Sequence, residues 1–140
     1  MKKILFVLLA VTFFCLSACS SSGNPDAERA AVSVALDWLA LIDGGMYGES
    51  WDVAAEKFKK DGSRKKWGTT LKMIRDPRGK ALSREVQTAR YKTRLPGATV
   101  GQYVVVKFDT VFEKKESSVE TVITVMNNSG KWQVTGYALD

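Results

Sequence analysis

Two cysteines, Cys15 and Cys19, are the only thiols in the 140-residue chain, four positions apart near its start. That spacing is open to a disulfide, to half of a metal site, or to a role unrelated to both. No histidine occurs anywhere. The Ser-His-Asp and Cys-His mechanisms therefore lack their base, and the usual zinc, haem and iron–sulfur ligand sets are missing. Carboxylate-only calcium or magnesium sites remain open, but no D-x-D-x-D-G loop is present, and neither is a glycine-rich phosphate loop. No catalytic residue, cofactor or metal is expected. The densest cluster of charge is Arg75-Asp76-Pro77-Arg78-Gly79-Lys80 with Arg84. Arginine forks in such a loop can hold a phosphate or carboxylate; solvated charges on a helix-ending turn are the plainer account.

Around the cysteines, Met1-Lys2-Lys3 is a short basic head, and Ile4 to Phe14 is apolar except for Thr12. Small residues and a polar run from Ser20 to Pro25 follow, which describes a secretory signal peptide. The apolar stretch falls short of the roughly 18 residues that span a bilayer. Leu16-Ser17-Ala18-Cys19 resembles a bacterial lipobox. The resemblance implies cleavage between Ala18 and Cys19 and diacylation of the Cys19 thiol, with Cys15 leaving in the removed segment. Two or three acyl chains hold a protein to a membrane stably where one does so only marginally. Ser20 follows Cys19 where aspartate often signals inner-membrane retention, so the expected location is the cell envelope, at the outer membrane and facing the periplasm.

Removal of residues 1–18 leaves 122, enough for one domain with a real core. The remaining cysteine is spoken for, so stability must come from packing. Charge is uneven: residues 19–56 carry one base against seven acids, whereas residues 57–94 carry fourteen bases against three acids. A basic middle section on an envelope protein suits anionic partners, such as lipid head groups or an acidic protein, or else forms a solvated face. Nucleic acid is not expected of a lipid-anchored exported chain.

Residues 19–25 read as a lipidated tether and 26–140 as a single domain. Asn24-Pro25-Asp26 reads as a helix start. Ala31, Val34, Ala35, Trp38, Leu41 and Ile42 then recur at helical spacing, with Leu36 and Leu39 widening the stripe, until Asp43-Gly44-Gly45. Tyr47, Trp51, Ala54, Ala55 and Phe58 predict one face of a second helix. Trp67, Leu71 and Ile74 predict a third, ending near Asp76 before Pro77. From Ala81 the period changes to two. Strands are predicted over 82–94, through Val104, Val106, Phe108 and Phe112, over Val119 to Met126, and through Trp132, Val134 and Ala138, with a turn over Glu113 to Ser117. Asn127-Asn128-Ser129-Gly130 is a hairpin signal, and Gly136 predicts a bulge or a close backbone contact. Three helices followed by a four-stranded antiparallel meander make an α+β domain.

The order and spacing also resemble the bacterial exported proteins grouped as domain of unknown function 4019. The carrying residues include Trp38 with Leu41-Ile42-Asp43, Tyr47 with Ser50-Trp51, Trp67, Arg75 and Pro77, Leu95-Pro96-Gly97, Gly101-Gln102-Tyr103, Glu120-Thr121-Val122, Gly130-Lys131-Trp132 and Gly136-Tyr137. The family has no assigned activity. Its architecture looks similar to cystatin-like or NTF2-like cones, in which a curved sheet wraps the first helix; that fold hosts enzymes and binding modules alike. In such a cone Trp38, Tyr47 and Trp51 could line a ligand pocket with Arg90 or Tyr91 at its mouth, or simply form core. An isomerase would need a buried carboxylate beside a tyrosine, drawn from Asp37, Asp43 and Asp109 with Tyr47, Tyr103 and Tyr137. The expected function is a non-enzymatic, lipid-anchored binding module for a protein or anionic envelope component, with a small-ligand binder or isomerase as the alternative. If Cys19 is the anchor, cells fed a palmitate analogue label the chain, and Cys19→Ala abolishes the label; unchanged labelling would refute the lipobox reading.

Overall fold

The structure is a computed structural model that describes residues 23–60 and 62–140. The signal segment, Ala18, Cys19 and Asp61 lie outside the described residues. Helix α1 runs Pro25–Asp43, α2 Tyr47–Asp52, α3 Glu56–Lys59 and α4 Arg64–Arg75, followed by a 3-10 turn over Asp76–Arg78. Strands β1 (Ala81–Lys92), β2 (Tyr103–Phe112), β3 (Lys115–Met126) and β4 (Trp132–Leu139) form one antiparallel sheet in sequence order. The chain is thus α+β with an open four-stranded sheet.

Local chemistry accounts for the helix ends. The Asn24 side chain accepts from the Ala27 amide at 3.1 Å, with Pro25 in the first turn. Gly45, at φ 75°, takes the left-handed conformation just past the end of α1. Ser63 caps α4 by accepting from Lys66 at 3.2 Å. Ala31, Ala35, Trp38, Leu39 and Ile42 of α1 form one buried cluster with Leu71 of α4 and with Val104, Val106, Phe108, Val122 and Val134 of the sheet. Leu36 departs from the expected stripe: it is exposed and borders a groove against Val86 of β1.

Three further expectations need correction. The second helix is two short ones, because the backbone turns extended at Ala55 (φ −62°, ψ 147°). There the Ala55 amide donates to the Val134 carbonyl at 2.8 Å, so a helix interrupted by tertiary bonding covers part of the free edge of β4. Strand β3 begins at Lys115 rather than Val119, the turn being only Glu113–Lys114. Finally, Ala138 does not share the face of Val134. Ile123 pairs with Gly136 but Thr124 with Val134, so Thr135 is an extra residue in β4. That bulge reverses the alternation and turns Tyr137 toward the helices. The bulge expected at Gly136 is present beside it, and a Cβ there would lie 3.3 Å from that of Ile123.

Alternation in β2 gives the sheet two unlike faces. Val104, Val106, Phe108, Thr110 and Phe112 are buried toward the helices. The opposite face presents Val105 and Val111 of β2 and Val119, Thr121, Ile123 and Val125 of β3, all half-buried, with no described element across from them. On that face only Tyr103 is fully buried; its hydroxyl donates to the Thr99 carbonyl at 2.9 Å in the β1–β2 loop.

Candidate functional site

Glu120 of β3 has no solvent exposure, yet its carboxylate is the centre of the polar structure. Oε1 accepts from Arg75 Nη1 at 3.0 Å and from the Tyr137 hydroxyl at 2.7 Å. Oε2 accepts from Arg84 Nε at 2.6 Å and from Thr110 Oγ1 at 2.7 Å. Both arginines also reach Asp43 at the end of α1: Arg84 Nη1 donates to Oδ2 at 2.8 Å, and Arg75 Nη2 donates to Oδ1. The Arg75 guanidinium lies 4.9 Å from the centre of the Phe112 ring. Two acids and two arginines make the knot formally neutral, and a buried carboxylate is tolerable only with such partners.

Protonation follows from this wiring. Burial opposes the charged form of Asp43, but its bonds to Arg84 and Arg75 prevail and hold the carboxyl below its ordinary value of 3.8. Burial likewise works against charge on Arg84, and is outweighed by its bonds to Asp43 and Glu120, which raise its pKa. The Tyr137 hydroxyl is pushed up, first by burial and then by Glu120.

Above the knot stands a chain of aromatic rings. Trp38 packs on Trp67 (5.9 Å between centroids) and edge-on to Tyr137 (5.4 Å); Trp67 meets Phe58 at 4.9 Å, and Phe58 meets Trp51 at 5.6 Å. Buried Ser50 joins them. Its carbonyl accepts from Trp38 Nε1 at 2.8 Å, and its hydroxyl accepts from Trp67 Nε1 at 2.9 Å while donating to the Tyr47 carbonyl at 2.7 Å. Of the two readings of these aromatics, pocket or core, the structure assembles core and not a shared pocket. Trp38 is 2% exposed and borders a shallow hollow with Val53 and Trp132, while Trp51 borders a separate one with Phe58 and Lys66. Tyr47 borders a third, near Asp43. Tyr91 belongs to the other end of α1, where its amide donates to Glu28 at 2.9 Å, and Arg90 beside it is exposed on the opposite face.

The arginine clamp weighed against plain solvated charges is divided in the same way. Arg75 and Arg84 are spent on Glu120 and Asp43. Arg78 donates to the Ile74 carbonyl at 2.6 Å, its Nε left buried without a partner, and Lys80 is exposed. A cleft of about 280 Å³ brings Lys80 and Arg75 together with Asp43, Asp76, Glu113 and Tyr47, so its walls carry both signs of charge. Positive charge gathers instead along α4, where Lys65 and Lys72 line a groove with Gly48, Gly68 and Arg64, the last forked onto Asp52 at 3.0 Å. Of the acids considered for proton transfer, Asp37 is exposed, Asp109 accepts from Gln87 at 3.0 Å on the outer face, and Asp43 is in the knot. The buried acid beside a tyrosine is Glu120, which the sequence names only within the family-like Glu120-Thr121-Val122 and not among the proton-transfer acids, because an isolated glutamate in a β-branched strand carries no signal of burial. It faces four donors rather than a cavity. Among the described residues, no group of three or more acidic, histidine or cysteine side chains is placed to hold a metal, and no helix is long and apolar enough to cross a membrane.

These features define an α+β domain with helices on one sheet face, no described helix or strand on the other, and a charge-neutral knot of Glu120, Asp43, Arg75 and Arg84. The chain belongs to the family described as protein of unknown function (DUF4019), whose pattern it matches over residues 34–137. No curated protein and no solved structure matches it.

The knot makes a measurable demand on pH. Since Asp43 titrates lower folded than unfolded, its contribution is complete above about pH 4 and drains away as pH falls through the folded value. In urea unfolding, the parent should lose stability below that point, and Asp43→Asn should be less stable at neutral pH with a flatter acid limb. An unchanged acid limb would contradict the assignment. Glu120→Gln leaves two buried arginines short of an anion and should cost about 3–5 kcal/mol at neutral pH.

Proposed function

We propose that this protein is a lipid-anchored component of the cell envelope whose folded domain is a non-enzymatic interaction module. The observation that carries the reading is the bare sheet face. Val105, Ile123 and Val125 are neighbours on it, Val119 and Val111 lie beyond the Lys107–Thr121 row, and no described helix or strand lies across them; apolar groups left open in this way mark places where other molecules dock. The internal satisfaction of Glu120, Arg75, Arg84 and Asp43 supports the non-enzymatic half, since groups already bonded to one another are poorly placed to act on a substrate. One layer of helices on one side of an antiparallel sheet also supports the cystatin-like or NTF2-like half-cone reading of the fold.

The anchor complements this arrangement. A lipidated Cys19 would lie six residues before the start of α1, so the tether would keep the domain within a few tens of ångströms of the membrane. The basic groove on α4 would then gain from anionic head groups nearby.

The test is residue-specific photocrosslinking of the full chain in its native envelope, with the photoreactive group at Val105, Ile123 or Val125 and a control at Asn128 in the β3–β4 turn. Discrete adducts from the three face positions and none from the control are expected. Adducts from none of the face positions would sink the reading.

A further inference from the structure

We infer that the β1–β2 end of the domain docks on the anionic phospholipid surface that carries the Cys19 lipid, with Val100 reaching into the head-group layer. The inference rests on the lipid-anchored half of the proposed reading and adds to it which end of the domain faces the bilayer.

The place where the chain enters the fold supplies the first argument. A Cβ on Gly23, the first described residue, would lie 3.4 Å from the Glu28 carboxylate, and that carboxylate accepts from the Tyr91 amide near the end of β1. The β1–β2 loop begins at Thr93, whose carbonyl accepts from the Gly101 amide at 3.1 Å. Tether and loop thus share one end of the domain. The four steps from Cys19 to Gly23 reach at most about 14 Å. A lipid held in the bilayer therefore brings this end first within the roughly 10 Å over which a head-group potential acts. The opposite end, marked by Gly45 and the β2–β3 turn, lies about 28 Å further along the 19-residue α1.

Charge supplies the second argument. From Val86 to Phe108 the chain carries Arg90, Lys92, Arg94 and Lys107 and no acid, and from Thr121 to Leu139 it carries Lys131 and no acid. The sheet sets these segments side by side at the tether end: Lys92 pairs with Tyr103, Tyr103 with Val125, and Met126 with Trp132, next to Lys131. Arg90, Lys92, Arg94 and Lys131 are exposed, and none is paired with an acid among the described residues. The acids near them are Asp26, paired with Arg29, and Glu28, bonded to the Tyr91 amide. The opposite end instead mixes Asp76, Glu113 and Glu116 with Lys80, Lys114 and Lys115. Within the acid-free loop Val100 is 68% exposed, the most exposed large apolar side chain described. An apolar side chain on a basic loop suits a bilayer surface, where it can enter the head-group layer while Lys and Arg stay with the phosphates. Standing on this end, the domain leaves its outer sheet face to the side, where a partner can reach it.

Fluorescence quenching by spin-labelled lipid tests the inference, with the full chain purified from the membranes of expressing cells and reconstituted in phosphatidylglycerol–phosphatidylcholine vesicles. With the Cys19 thiol acylated, Val100→Cys supplies one free thiol for a fluorescent label, and Lys114→Cys supplies one at the far end of the ten-residue β2, about 33 Å away. The label at Val100→Cys should be quenched and that at Lys114→Cys should not, and the quenching should vanish in phosphatidylcholine alone. Lys92→Gln and Arg94→Gln should each lower the ratio of docked to undocked domain about fivefold, and Lys65→Gln with Lys72→Gln on α4 should change it less than either. Flotation with phosphatidylcholine vesicles, which needs the lipid alone, reports the anchor separately. A chain that floats but shows no quenching at Val100→Cys, equal quenching at both labels, quenching that persists in phosphatidylcholine alone, or a larger loss from the α4 pair overturns the inference and leaves the anchor standing. A chain that does not float takes down the anchor and the inference together.

Discussion

A carboxylate without access to solvent forces the chain around it to be organised, and Glu120 is in that position. Its four donors come from different places: Arg75 ends α4, Arg84 lies on β1, Thr110 on β2 and Tyr137 on β4. Asp43, closing α1, holds both arginines from the other side. Almost every major element thus delivers one group to one point, and displacing any of them strands a buried charge. Apolar packing supplies the drive to collapse, but many packings of Val, Leu and Phe are nearly equivalent. The knot distinguishes among them, because a shift in the register of β1, β3 or β4 would carry Arg84, Glu120 or Tyr137 away from its partners.

The β4 bulge shows how local backbone detail serves that requirement. Were β4 to alternate regularly through Thr135 with no bulge, Tyr137 would point to the opposite face and Glu120 would lose a donor 2.7 Å away. The inner position would fall to Ala138 or Gly136, neither of which carries a polar group. Gly136 lets the bulged strand lie against Ile123, where a side chain would press on the neighbouring strand. The break between α2 and α3 serves the sheet in a parallel way by giving β4 a backbone donor at Ala55.

Much of this architecture was legible in the sequence where a single periodicity decided the outcome. The spacing of Ala31, Ala35, Trp38 and Ile42 and the alternation from Val104 to Phe112 are imposed by one buried face, so they survive into the structure unchanged. The second helix misled because Trp51, Ala54, Ala55 and Phe58 keep helical spacing across a break imposed by a strand far along the chain. The knot was hidden for a related reason. Arg75 and Glu120 are 45 residues apart, and in a linear reading each resembles a solvated surface charge. The aromatic residues were visible from the start, but whether they enclose a void or one another depends on side-chain packing that spacing does not encode.

The continuity of the aromatic chain has an optical consequence. Trp38, Trp67, Phe58 and Trp51 touch in succession, with both indole N–H groups of the inner pair bonded to Ser50, while Trp132 stands apart at the start of β4. Three of the four tryptophans share one excitonic and quenching environment drawn from α1, the α2–α3 segment and α4. The natural emission of the protein is therefore weighted toward the docking of its helices, and is comparatively blind to what happens on the far side of the sheet.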